Sequence, residues 1–300
     1  MDRYGFLKTA AAIPSVRVAD CAYNGERIAA LVAEAAGRGV EVVLFPELSV
    51  TGYTCGDLFL QPALLAAAEQ TLAELLRRTA ELNTAFVVGL PVAVDDMLYN
   101  CAVVAAAGEV LGVVPKCHIP DYAEFYESRW FASGQGRPTV EIELCGQSVP
   151  FGPDLLFDIG GARCAVEIFE DLWVPAGDEV ILNLSASPET VGKSDYVRQL
   201  VVQQSARMRA AYLYCSAGFG ESSTDLVFAG HALVAENGAV LAASERFSLG
   251  EQLVVADVDC QLLRNDRCRT TTFRHSGAGG RTTVAVTMPV AYDRPFDRTV

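Results

Sequence analysis

The chain is poor in the residues that most often hold metals and in the charge that holds polyanions. It has three histidines, His118, His231 and His275, too few and too scattered for a histidine-based metal centre, so no metal site is expected. Lysine and arginine number 23 against 37 acidic residues, a formal net charge of −14 at pH 7. A surface of that sign repels nucleic-acid phosphates and anionic lipid, so neither nucleic acid nor membrane is expected as a partner. Long apolar runs are missing too: AFVVGLPVAV (85–94) is ten residues long and carries Gly89 and Pro91, too short to span a bilayer. The nine cysteines include no C-x-x-C pair and no disulfide-like spacing. That pattern suits a reducing cytoplasm, with most thiols acting as small core side chains. The opening MDRYGFLKTAAAIP lacks the apolar core of a secretion signal and reads as a first strand.

What is present describes a compact folded protein. Hydrophobic residues make up 51% and charged residues 20% of the chain, a balance that argues against disorder. Three hundred residues can bury the core of one large α/β domain. NGERIAALVAEAAGRGV (24–40) predicts an amphipathic helix, with Asn24 as its cap, Ile28, Leu31, Val32 and Ala35 on one face, and Gly37 at its close. EVVLFPE (41–47) reads as a short strand covered on both faces. A second helix is expected over 60–83, with Pro62 near its start. Three strands follow in TAFVVGLPV, MLYNCAVVAAA and EVLGVVPK, then a hairpin over Gly160–Gly161 and a buried strand in VILNLSASP (180–188). SDYVRQLVVQQSARMRA (194–210) is helical, AYLYCSAGF returns to strand, and Asn237-Gly238 sits between two apolar runs as a hairpin signal. With no internal repeat, low-complexity tract or linker, these elements predict a single α/β domain with mixed sheets.

Several of the strands end in a chemically capable residue: Glu47, Lys116, Phe169 with its two following acids, and Ser185 with Ser187. Sites in open α/β sheets tend to lie beyond the carboxyl ends of strands. Each residue also has a plain structural explanation. Glu47 can be a solvated charge after a turn proline, Lys116 a surface charge before a loop, and Ser187-Pro188 a turn. The residues alone suggest an α/β protein with a carboxylate–lysine site and go no further.

Five segments, however, resemble one family in order and across nearly the whole chain: FPELSVTGYTCGDLF (45–59), PKCHIPDYAEFYESRWF (115–131), VEIFEDLWVP (166–175), NLSASPETVGK (183–193) and VDCQLLRNDRCRTTTF (258–273). They look like successive blocks of the nitrilase, or carbon–nitrogen hydrolase, superfamily. Within it they resemble the amino-terminal glutaminase domain of glutamine-dependent NAD synthetases. The resemblance implies an α-β-β-α sandwich (the nitrilase fold) over 1–285 that assembles into homo-oligomers. It also implies hydrolysis of glutamine through a Glu–Lys–Cys triad and a thioester. On that pattern Glu47 matches the general base and Lys116 the cation that meets the oxyanion, with the backbone N–H of Glu170 beside it. Glu124 is the expected auxiliary carboxylate, and Tyr122, Ser187 and Lys193 match the residues that bind glutamine.

The nucleophile is where the chain departs. The family writes E-I-C-E-D-x-W and this chain writes E-I-F-E-D-L-W, so Phe169 stands in the cysteine's place. A phenyl ring has neither a lone pair to attack a carbonyl nor a proton for Glu47 to remove. Cys164, five positions earlier in the strand, should face the opposite way; Cys215 ends another strand, and Cys55 and Cys117 lie in loops. A glutaminase site inactive as it stands is therefore expected. The alternative is a non-catalytic scaffold or glutamine-sensing domain. The S-G-G-x-D-S pyrophosphate loop of complete synthetases does not occur, and residues 286–300 read as a tail or the start of a linker. The resemblance then implies no cofactor in this domain. ATP and magnesium would belong to a synthetase domain acting in cis or in trans.

Overall fold

A computed structural model describes residues 5–173, 178–224, 226–271, 281–286 and 298. Its elements, in chain order, are β1 (Phe6–Ile13), α1 (Cys21–Gly37), β2 (Val42–Leu44), α2 (Pro62–Thr79), β3 (Ala85–Val94), β4 (Met97–Ala106), β5 (Glu109–Pro115), β6 (Val140–Leu144) and β7 (Gln147–Phe151). They continue with β8 (Leu155–Ile159), β9 (Ala162–Ile168), β10 (Val180–Ser185), α3 (Lys193–Met208), β11 (Ala211–Ser216), β12 (Ala232–Glu236), β13 (Ala239–Ala243), β14 (Gln252–Asp259), α4 (Cys260–Arg269) and β15 (Thr282–Val286). The strands form two mixed sheets. The first runs β14-β1-β2-β3-β4-β5-β7-β6 and the second β13-β12-β11-β10-β9-β8-β15.

The period of two in each strand explains how these sheets stack. Along β3, Phe86, Val88 and Leu90 face one way and pack with Ile28, Val32, Leu72 and Leu75 of α1 and α2. Ala85 and Val87 face the other way and share a core with Cys164, Val166 and Ile168 of β9 and Leu182 and Leu184 of β10. Ile181 and Tyr212 turn to the far side of the second sheet, against Val197 and Val201 of α3. The result is helices, sheet, sheet, helix: the expected α-β-β-α sandwich. Alternate residues of one strand serve different layers, so near-continuous apolar runs are needed where both faces are covered.

Three sequence expectations change. Helix α1 begins earlier than predicted, because Asp20 caps it by accepting from the Tyr23 N–H at 3.2 Å. Asn24 lies inside the helix, buried, where its side chain accepts from the Arg17 N–H and donates to the Arg17 and Val50 carbonyls. It ties down the incoming loop rather than capping. Strands β6 and β7 were not foreseen; they form an antiparallel hairpin on the edge of the first sheet. Val286 closes β15, which pairs in parallel with β8, so the domain body reaches one residue past 285. The remainder of the 286–300 tail, apart from residue 298, lies outside the described residues.

Candidate active site

Three strand ends meet at one buried point. Glu47 follows β2 in a tight turn where Leu48 takes a φ of +51°. The turn can cross β3 only at Gly89: a Cβ there would lie 2.2 Å from the Leu48 nitrogen. The Glu47 N–H donates to the Ser185 carbonyl at the end of β10, joining the two sheets. Lys116 follows β5, held by its own N–H to the Asn100 carbonyl at 2.8 Å. Both side chains are fully buried.

The Lys116 ammonium donates to Glu47 Oε1 at 2.7 Å and to both oxygens of Glu127 at 2.8 and 2.9 Å. Asn100 Nδ2 donates to the same Glu47 oxygen at 2.6 Å, and the Tyr53 hydroxyl donates to Glu127 at 2.9 Å. Buried charges are stable only when paired and hydrogen-bonded in this way. Two carboxylates share one ammonium, and the consequences are opposite for the two partners. Burial raises the pKa of Glu47, and although Lys116 pulls it down, the nearby Glu127 pushes it up again, leaving it above the carboxylate range. Burial disfavours the charge on Lys116, but Glu127 and Glu47 outweigh it and hold Lys116 protonated. The other Glu47 oxygen, Oε2, is buried with no hydrogen-bond partner among the described residues. A free, basic carboxylate oxygen beside a fixed cation can accept a proton from a nucleophile and steady the oxyanion that forms.

The third strand end supplies no nucleophile. Phe169 follows β9 and opens a short 3-10 turn, Phe169–Trp173. Its φ of +41° lies in the left-handed region, a strained choice for a bulky side chain of the kind found at functional sites. The ring is buried, with its centroid 5.1 Å from the Lys116 ammonium, 5.4 Å from that of Phe125 and 5.8 Å from that of Trp173. Asp171 ties this turn to the segment after Lys116: it accepts from the Ile168 N–H, the His118 N–H and the His118 ring.

The other sequence-predicted residues divide. Lys193 packs over the Phe125 ring at 5.9 Å, while its ammonium donates to the Pro188 carbonyl at 2.7 Å. The Tyr122 hydroxyl donates to Glu170 at 2.9 Å. Ser187 is buried, and its N–H donates to the Ser216 hydroxyl at 3.0 Å. Glu124 requires correction: Glu127, not Glu124, is the second carboxylate on Lys116. Three acids, Asp121, Glu124 and Glu127, recur at intervals of three in this segment. Only Glu127 is buried, because the Glu127–Arg129 turn directs it inward, and spacing alone could not distinguish it. Asn100 and Tyr53, both bonded to the cluster, were also missed; Asn100 sits in an apolar run and Tyr53 in the turn-like stretch TGYTCGD, neither with a signal of its own.

Five of the other thiols are each engaged by other groups. Cys164 is fully buried in the core between the sheets, Cys215 bonds the Ala12 carbonyl, and Cys55 bonds the Thr51 carbonyl. Cys145 lies between β6 and β7 against Glu69 of α2. Cys117, adjacent to Lys116, bonds the Pro115 carbonyl. Burial raises every one of these thiols, Cys117 and Cys55 to about 12, the opposite of what a nucleophile requires.

Residues 8–267 match the Carbon-nitrogen hydrolase family. A glutamine-dependent NAD(+) synthetase of Mycobacterium tuberculosis (strain H37Rv) is 43% identical over 284 residues, which cover 90% of this chain and 42% of the relative. That of Aquifex aeolicus (strain VF5) is 28% identical over 292 residues, 94% of this chain and 47% of the relative. The crystal structure of a glutamine-dependent NAD(+) synthetase from Cytophaga hutchinsonii superposes with a TM-score of 0.78 at 29% identity, over 84% of this chain and 43% of that one. An amidase of the nitrilase superfamily from Nesterenkonia AN1 superposes at 0.67 and 20% identity, over 91% and 97% of the two chains, and shows the shared fold alone. The chain spans less than half the length of the synthetases it matches.

Proposed function

The chain belongs to the carbon–nitrogen hydrolase family, and from that membership we propose that it is a glutaminase-type domain of the glutamine-dependent NAD synthetase kind whose amide-cleaving site is inactive. The observation that carries this reading is Phe169, whose ring lies against Lys116 at the end of β9. With a thiol there, Glu47 would take the sulfur's proton and the sulfur would bond the glutamine amide carbon. The oxygen of that amide, turned negative, would face Lys116 and the Glu170 N–H. Collapse of the intermediate, with the proton held by Glu47 passed to the amide nitrogen, would expel ammonia and leave a thioester for water to cleave. With a phenyl ring none of these steps begins, and loss of a nucleophile costs on the order of a million-fold in turnover. The ring is also much larger than a thiol, and it fills space close to the ammonium that the amide would need.

A second reading follows from the same geometry: a scaffold or glutamine-sensing domain that keeps the pocket without the chemistry. The buried Glu47 Oε2, which has no hydrogen-bond partner among the described residues, favours it, since a buried polar atom without a partner is costly and a bound polar molecule would satisfy it. Glutamine is the small-molecule partner in this second reading, with Tyr122, Ser187 and Lys193 as its contacts. Exposed large apolar side chains such as Val191, Tyr196, Val227 and Leu249 support a homo-oligomer. The length of the relatives supports a synthetase domain, in cis or in trans, as the user of ATP and magnesium. Calorimetric titration with glutamine separates the readings. Binding without ammonia release supports the sensor, and no binding leaves a closed, inactive site. Ammonia release by the unmodified chain rejects both.

A further inference from the structure

A cavity of about 450 Å³ adjoins the charged cluster and shares Glu127 with it. None of the glutamine-matching residues, Tyr122, Ser187 or Lys193, lines it, and neither does Phe169. Its volume suits a small organic molecule. Its walls have three features that act together. Phe125, Tyr126 and Trp130 present rings, and the Tyr126 and Trp130 rings meet at 58° with centroids 5.2 Å apart, forming an aromatic corner. Glu124 presents a carboxylate, while the Glu127 oxygens are already taken by Lys116 and Tyr53, and no lysine, arginine or histidine is among the lining residues. Behind Glu127, Lys116 is shared with Glu47, so the cluster brings no surplus of positive charge to the cavity. Opposite, Ser222 and Thr224 contribute hydroxyls that bond each other at 3.0 Å.

The wall they stand on is held in place. The Glu221 carboxylate accepts from the Tyr53 and Thr54 N–H groups and from the Thr54 hydroxyl, and that hydroxyl accepts from the Ser222 N–H. A ligand would therefore meet a preformed surface and spend little binding energy on ordering it.

We infer that this cavity binds a small organic ammonium ion: its charge against the Tyr126 and Trp130 rings and beside Glu124, and its N–H groups to the Glu124 carboxylate and the Ser222 and Thr224 hydroxyls. An aromatic corner attracts a cation through the ring quadrupoles, and the Glu124 carboxylate selects against an anion of the same shape. A neutral isostere would keep the apolar contact and lose the charge. This inference does not depend on the proposed glutaminase ancestry. It holds or fails in the unmodified chain, whatever restoring a thiol at 169 does.

Titration calorimetry with n-butylammonium, n-butanol and n-butyrate at low salt tests it, with Trp130 fluorescence as a second readout. Butylammonium is expected to bind and perturb the fluorescence, with butanol and butyrate each at least roughly tenfold weaker. E124Q, a change on a half-buried loop that leaves the core intact, should weaken butylammonium about tenfold and butanol little. W130L should weaken butylammonium by roughly threefold to tenfold. Equal affinity for butylammonium and butyrate, no binding of butylammonium, or an E124Q protein that binds it unchanged would each overturn the assignment.

Discussion

The part of the site that comes from the first sheet and the part that comes from the second are held together differently. From the first come Glu47, Asn100 and Lys116, joined by Glu127 into a buried network of charge-assisted hydrogen bonds. From the second comes Phe169, held by edge and tilted contacts with Trp173 and Phe125 in a strained backbone conformation. The polar part does not need a thiol to persist. Once two carboxylates and an ammonium are buried together, removing any one exposes the others to the full cost of desolvation. The Glu47–Lys116 pair is thus explained by stability as well as by chemistry, and its presence says little about activity. The residue at 169 is under no such electrostatic constraint.

Breaking the polar part should have the largest effect. Lys116→Met leaves Glu47 and Glu127 buried beside each other without a cation, and should lower unfolding stability by about 3–5 kcal/mol, measured by urea denaturation. A loss below about 1 kcal/mol would show that the network is not holding the first-sheet side of the site. Phe169→Ala tests the aromatic part. It empties a buried ring position and should cost about 3 kcal/mol, unless the neighbouring rings collapse into the space; a stabilised variant would mean that strain at φ +41° outweighs the packing.

Glu47 sharpens the comparison through pH. Its pKa is raised in the folded chain, chiefly by burial, so the native state binds more protons than the unfolded one. Its contribution to stability is therefore complete below the ordinary carboxylate range and is lost as pH rises through the raised native value. Melting temperatures measured as pH rises from that range towards neutrality should fall less steeply for Glu47→Gln than for the unmodified chain. Parallel profiles would contradict the shift. The smallest effect is expected from Tyr53→Phe, which removes one hydrogen bond to Glu127 and should cost about 1 kcal/mol; a larger loss by the same denaturation measurement would make Tyr53 a main support of the cluster.

Much of this architecture could be read from the residues. The two-face burial of β3, β4 and β10 follows from their apolar runs, and the β12–β13 hairpin from Asn237-Gly238. What escaped depends on distance in the chain. Asp20 rather than Asn24 caps α1 because Asn24 has a better use, bonding Val50 26 positions away. Strands β6 and β7 are half exposed, and VEIEL carries too little apolar character to stand out as a strand. At the site, Glu47, Lys116 and Phe169 could be named, since each ends a strand in a recognisable block. That Glu127 and not Glu124 meets Lys116 depends on which way an irregular loop turns, which no periodicity records.

The central claim, that Phe169 alone silences an otherwise arranged site, is tested most directly by assaying ammonia release from glutamine in the unmodified chain and in Phe169→Cys, with mass spectrometry after exposure to diazo-oxo-norleucine. The account predicts no release above background and no adduct at position 169 in the unmodified chain. It predicts measurable release and a single adduct on residue 169 in Phe169→Cys. A Phe169→Cys protein that is folded yet neither hydrolyses glutamine nor takes up the analogue would contradict it, as would activity in the unmodified chain that vanishes on mutating Cys117 or Cys164.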